Sequence, residues 1–250
     1  MPTAPSLNME GSEFVDRIIA RALSEGRDAL LEPEAKAVCQ AYSLPVPAFQ
    51  VATTQKEAVE FAEKVGFPIV MKIISRDILH KTEAGGVLLS LNSTVDVENG
   101  YTSILSNAKA YKSDARVDGI LVQHMAPPGT EIIVGGLRDP QFGPVVMFGL
   151  GGIFTEVLND VTFRLAPIDE REAREMIGEI RGHRLLAGFR GQPPADEEAV
   201  ASALVRVSVI MNENESIAQI DLNPIMAYRS GCSIVDARIL LRVQGQAITS

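Results

Sequence analysis

A mixed α+β fold with two sub-cores, dividing near residue 118, is predicted from three observations. Amphipathic helical stretches alternate with short apolar runs too rich in β-branched residues to be helices. The composition, 46% hydrophobic and 22% charged, is that of an ordinary globular chain. And 250 residues can bury a large core without disulfide or metal staples.

Residues 1–12 read as a lead, after which "EFVDRIIARALSEG" predicts an amphipathic helix closed by Gly26. "EPEAKAVCQAYSL" predicts a second, with Pro33 in the first turn, where a missing N–H is harmless. "PVPAFQV" must be extended. Thr54 and Glu57 form a capping-box signature for a helix that buries Ala58, Phe61, Ala62 and Val65.

"FPIVMKII" is then a buried strand, followed by a strand at "GVLLSL" and a helix over about 95–111. Three more strands are expected at "GILVQHM", "TEIIVGGL" and "PVVMFGL". "GGIFTEVLNDVTFRLAPID" reads as irregular, with a helix beyond it from Glu170 to Ile180. "RGHRLLAGFRGQPP" reads as loop, and Asp196 as the cap of a helix reaching Asn212. The last segment, "SIAQIDLNPIMAYRSGCSIVDARILL", predicts two strands around a glycine turn.

A net charge of −9 argues against nucleic-acid and acidic-membrane partners, which need a concentrated basic surface. A basic cluster inside a cleft could still hold a nucleotide. Cys39 and Cys232 stand far apart in no zinc spacing, which fits a reducing cytoplasm. No segment approaches the run of about 20 apolar residues of a membrane helix, and the first residues lack a secretory pattern. A cytoplasmic location is expected.

Chemistry is suggested at three places. In the strand "PIVMKI", Val70, Lys72 and Ile74 share one face, so a lysine stands among aliphatics. It either snorkels from a half-exposed strand or aims an ammonium at a phosphate. In "QIDLNPI", Gln219, Asp221 and Asn223 share a face, and Asp236 could return beside them. Either the pair organises a turn before Pro224, or it offers the oxygens that Mg²⁺ takes together with nucleotide phosphates. Finally, "SRDILHKTEAGGV" carries His80 among charges, as a solvated loop or as a working imidazole.

The loop "FGLGGIFTE" has three glycines but no P-loop ending. His124 and His183 lack metal-ligand company.

In this order, the Lys72 strand, "DILHKTEAGGV", "VQHM", the Glu of "GTEIIVG", "GLGGIFTEVLNDVTFRLAP" and "DLNPI" resemble a known family. It is the ATP-grasp domain of the nucleoside-diphosphate-forming acyl-CoA synthetases, above all the beta subunit of ADP-forming acetate-CoA ligase. The likeness covers residues 28–242, leaving 1–27 as an N-terminal extension with a helix and 243–250 as a tail.

The resemblance implies an ATP-grasp α+β fold holding ATP or ADP between two subdomains. It puts Lys72 on the phosphates, Val70 near the adenine, and the backbone of Gln123, His124 and Met125 along the base edge as a hinge. Glu131 would stand near the ribose, while Asp221, Asn223 and Asp236 gather Mg²⁺. Arg164 would face the transferring phosphoryl group.

His80 would join a phosphohistidine relay toward a companion CoA-binding alpha-type subunit. Imidazole suits that task, since its neutral form is nucleophilic near neutral pH. Two other functions stay open at this point: a regulatory ATP-grasp module of an acetyltransferase assembly, and a carboxylate-amine ligase.

Overall fold

The computed structural model describes residues 7–78, 80–152, 160–188 and 193–242, so the expected tail 243–250 and most of the glycine loop's continuation lie outside the described residues. The chain forms two compact units: residues 47–126 make the smaller, and residues 1–46 with 127–250 the larger.

The larger unit begins with helix α1 (Met9–Ser24), so the lead is shorter than expected. Asn8 caps it, its side chain accepting from the Gly11 N–H at 2.9 Å. Val15, Ile19 and Ala22, one turn apart, are buried in the core of this unit. Helix α2 (Glu32–Ala41) follows, its Glu34 accepting from the Leu31 N–H at 2.8 Å and from both terminal nitrogens of the Arg27 guanidinium, at 2.6 and 2.9 Å. Within the expected N-terminal extension, α1 thus supplies side chains to the core of this unit.

In the smaller unit, β1 (Phe49–Ala52), α3 (Gln55–Val65), β2 (Ile69–Ile74), β3 (Val87–Leu91), α4 (Thr94–Tyr111) and β4 (Gly119–His124) build an antiparallel sheet of order β1-β4-β2-β3. Ile69, Met71 and Ile73 of β2 form one core with Phe61 of α3 and Ile104 of α4. The helices thus cover that face, and Val70 and Lys72 point to the other. Since β4 sits inside this sheet, the division falls after residue 126 and not near 118.

The chain then returns through β5 (Thr130–Asp139), β6 (Gly143–Leu150), β7 (Val161–Leu165), helices α5 (Glu170–Glu179), α6 (His183–Leu186) and α7 (Glu197–Glu213), and strands β8 (Ile217–Ala227), β9 (Cys232–Ile234) and β10 (Arg238–Leu241). Their antiparallel order is β10-β8-β5-β6-β7, with β9 also on β8. Leu204, Val207 and Met211 of α7 and Met176 of α5 share a core with Val146, Phe148, Ile220 and Leu222.

Three elements differ from expectation. β7 lies in a stretch read as irregular, α6 in one read as loop, and the final segment makes three strands where two were expected. The cysteines are free and buried, and burial pushes the Cys39 thiol up to about 12, so it behaves as a small apolar side chain.

Asp196 caps α7 through the Ala199 N–H at 3.0 Å and also accepts from the Gly231 N–H at 2.8 Å in the turn before β9. These bonds, that to Gly231 foremost, hold its carboxyl below the usual range. Replacing it with alanine is expected to cost about 1–2 kcal/mol in urea unfolding at pH 7. Because the folded-state value is depressed, the advantage of Asp196 over alanine is present above the unfolded carboxylate value of about 3.9 and fades as pH falls through the folded one.

Candidate functional site

The smaller unit presents one group of candidate residues. Val70 pairs with Gln123 and Lys72 with Leu121 across β2 and β4, so all four share the face away from the helices. Lys72 is only 6% exposed, which rules out the snorkelling expectation. An ammonium on that face of the strand, beside the buried Val70, Ile74 and Leu121, is costly to desolvate.

Along the adjoining segment, the His124 N–H donates to Ala48 O at 3.0 Å and the Met125 N–H to Pro68 O at 2.9 Å. Those two donors are engaged within the sheet. A base edge would have to use carbonyls of this segment or backbone beyond it.

His80 opens a turn after β2. Ser75 donates to Arg116 O at 2.6 Å and Asp77 accepts the Arg116 N–H at 2.8 Å, while Ile78 and Ala84 are buried. Between these anchors the imidazole projects with 69% of its side chain exposed, and Nδ1 lies 3.8 Å from Glu83, too far for a hydrogen bond.

The turn is closed by the Ala84 N–H on His80 O and the Gly86 N–H on Lys81 O, at 3.1 and 2.8 Å. A Cβ on Gly86 would meet Ile73 Cγ2 at 2.5 Å and Lys81 O at 3.1 Å. The glycine thus lets the turn lie flat on β2. Gly86→Ala is expected to destabilise by about 1–3 kcal/mol, read as a fall in the urea midpoint with unchanged slope.

The larger unit presents the second group. β8 runs unbroken from Ile217 to Ala227, so Asp221 and Asn223 stand on a strand and organise no turn. The register with β5 slips between Ile132 and Val134, a bulge that sets both Asn223 and Pro224 between the buried Leu222 and Ile225. Asn223 is exposed and Asp221 half-buried.

Asp221 pairs with Gly135 on β5 and Arg238 on β10. Burial raises its carboxyl above the ordinary range, Arg238 opposes that shift, and the Asp236 charge adds to it. Val235, before Asp236, donates its N–H to Pro224 O at 3.0 Å. The acid is thereby brought to the bulge.

Glu131 occupies the same face of the sheet on β5. The Gly151 N–H donates to its carbonyl at 2.7 Å, and a Cβ on Gly151 would lie 2.9 Å from its Cβ. Glycine is needed there for the glycine-rich loop to lie against this strand.

Arg164 does not join them. It pairs with Val146 on the helix-covered face, whereas Asp221 lies opposite Gly135, across from Met147 and then Phe163, on the other face. Its guanidinium bonds to Glu179 of α5 and to the Phe163 carbonyl. The position expected for it beside a phosphoryl group is therefore corrected by strand parity: residues at 162 and 164 face the helices, those at 161, 163 and 165 do not.

No cluster of three or more His, Cys, Asp or Glu able to hold a metal ion occurs among the described residues. Two carboxylates and an amide fit a Mg²⁺ ion whose remaining ligands are phosphate oxygens and water. The pressure on Asp221 from burial and from a second acid is what a cation would relieve.

One sheet offers a buried lysine and the other an Asp-x-Asn strand, and a family model described as "ATP-grasp domain" matches residues 21–241. The chain belongs to the ATP-grasp family.

Within it, the chain is 48% identical over 224 residues to the acetate–CoA ligase [ADP-forming] I subunit beta of Pyrococcus furiosus, covering 90% of this chain and 96% of that one. It is 42% identical over 229 residues to acetate–CoA ligase [ADP-forming] I of Archaeoglobus fulgidus, covering 92% of this chain but 33% of that longer one.

Among solved structures, it matches the dinucleotide-forming acetyl-coenzyme A synthetase 1 of Ca. Korarchaeum cryptofilum in complex with coenzyme A, Ca-AMPCP and HgCl⁺, with TM-score 0.88 and 49% identity over 90% of this chain and 99% of that one. A second structure of that enzyme, with coenzyme A and Mg-AMPPCP and its phosphohistidine segment pointing towards the nucleotide binding site, matches at TM-score 0.82 and 46% identity, over 91% and 100%.

Among the described residues, no helix is long and apolar enough to cross a membrane.

Proposed function

We propose that this chain is the nucleotide-binding, beta-type subunit of an ADP-forming acyl-CoA synthetase, reversibly coupling acyl-CoA, ADP and phosphate to carboxylic acid, CoA and ATP with a CoA-binding alpha-type subunit. The observation that carries this is the 48% identity spanning 96% of a beta subunit, together with the buried Lys72 and the Asp221, Asn223 and Asp236 donors.

In this scheme Lys72 holds the phosphates of ATP or ADP as a point charge. Val70 flanks the adenine, Gln123 to Met125 border the base, and Glu131 borders the ribose. Asp221, Asn223 and Asp236 would hold Mg²⁺, which supplies charge neutralisation at the phosphates.

His80, exposed on a turn that both ends anchor, accepts a phosphoryl group. The imidazole lone pair forms an N–P bond as the bond from the γ-phosphorus to the bridging oxygen breaks, and ADP leaves. Reversal regenerates ATP. A covalent carrier divides one difficult transfer into two.

Incubation with γ-labelled ATP, Mg²⁺ and the alpha-type partner is expected to leave an acid-labile, base-stable label on His80. A wild-type chain that stays unlabelled, alone and with partner, would remove His80 from the relay. Turnover without any labelled histidine would favour an enzyme that forms an acyl phosphate directly.

A further inference from the structure

Among the described residues of the larger unit, the most deeply buried charge is Lys36, 0% exposed on α2. Its ammonium lies 3.1 Å from Glu32 one turn earlier, whose side chain is 2% exposed, and donates at 2.8 Å to the carbonyl of Val235. Apolar residues of similar size generally serve a core as well as a buried ion pair does, so stability alone does not explain this one. Its direction does.

Val235 precedes Asp236 in the short link between β9 and β10. Several bonds hold that link: the Ile234 N–H donates to Pro45 O at 2.8 Å, the Val235 N–H to Pro224 O at 3.0 Å, and the Val235 carbonyl accepts from Lys36. The first two bonds set its position; the third orients the peptide joining Val235 to Asp236, from which the carboxylate leaves the backbone, one of its oxygens accepting from the Ala237 N–H at 2.9 Å.

We propose that Lys36, oriented by Glu32, is a positioning residue that aims Asp236 at the cation beside Asp221 and Asn223. This rests on reading Asp236 as a metal ligand. Groups that orient metal ligands change metal affinity by roughly 10- to 100-fold when removed.

The test uses Mn²⁺ as a spectroscopic substitute for Mg²⁺, titrated into the full chain with ADP present, with thermal unfolding followed in parallel. Glu32→Leu with Lys36→Met is expected to melt within a few degrees of wild type, to bind ADP unchanged in EDTA, and to bind Mn²⁺ about tenfold more weakly or worse. Added to Asp236→Asn, the same pair should cause no further loss, because both act through one carboxylate.

Wild-type Mn²⁺ affinity in the apolar pair, with affinity lost in Asp236→Asn, would overturn the positioning role and leave the metal ligand intact. Full affinity in Asp236→Asn itself would overturn both. If the apolar pair does not fold, Glu32→Gln with Lys36→Gln gives the same readout, since glutamine is one atom shorter than lysine and falls short of the Val235 carbonyl.

Discussion

His80→Asn is expected to lower acyl-CoA formation by the reconstituted enzyme by at least about 10³-fold, with the apparent KM for ATP changed less than about threefold. Asparagine keeps a polar side chain on the turn but has no nucleophilic nitrogen. The backbone of the turn has no reason to move, since Ala84 and Gly86 donate to main-chain carbonyls and Ile78 anchors it through burial. The imidazole itself is 69% exposed and contributes little packing, so stability should be nearly unaffected. Steady-state rates with saturating partner, alongside an ATP binding isotherm, check both halves. A variant retaining more than a tenth of wild-type turnover would show that His80 carries no covalent intermediate.

Lys72→Met should produce the second largest effect, a fall of roughly 10²–10³-fold in kcat/KM for the nucleotide. Methionine fits the apolar strand beside Val70 and Leu121, so folding should be preserved. Saturating nucleotide should then raise the melting temperature of the variant less than that of the wild type. Lys72→Arg should rescue poorly, since a planar guanidinium is larger than the ammonium the strand accommodates. Isothermal titration with an ATP analogue and thermal unfolding decide this together. Loss of stability with affinity intact would assign Lys72 to the core and not to the nucleotide.

Much of this was legible in the sequence where local and global signals agree. β2 is an example: its period-2 pattern placed Lys72 opposite Met71, and the helices then chose the Met71 face. Asp221 and Asn223 were legible for the same reason, although the bulge that carries Asn223 and Pro224 together outward depends on pairing with β5 and leaves no local mark.

Arg164 fell where the pattern inverts. In "VTFRL" the apolar residues Phe163 and Leu165 are the exposed ones, at 54% and 58%, while Thr162 and Arg164 face helix α5. A pattern that reverses the usual inside and outside cannot be read from sequence alone. The boundary after residue 126 was missed for a related reason: an apolar strand such as β4 fits either neighbouring sheet until its partners are known. Lys36 left no signal either. A lysine four residues after a glutamate on a helix is ordinarily a solvated pair, and only the fold buries this one.

Whether the chain supplies the nucleotide half of a reaction completed on a second, CoA-binding subunit is decided by acyl-CoA formation from acetate, CoA and Mg-ATP by the purified chain, with and without that subunit and beside a binding isotherm for Mg-ATP. The chain alone should bind Mg-ATP and form no acyl-CoA, and activity should appear on adding the subunit and saturate at a fixed stoichiometry. Acyl-CoA made by the chain alone at the rate of the mixture would contradict it.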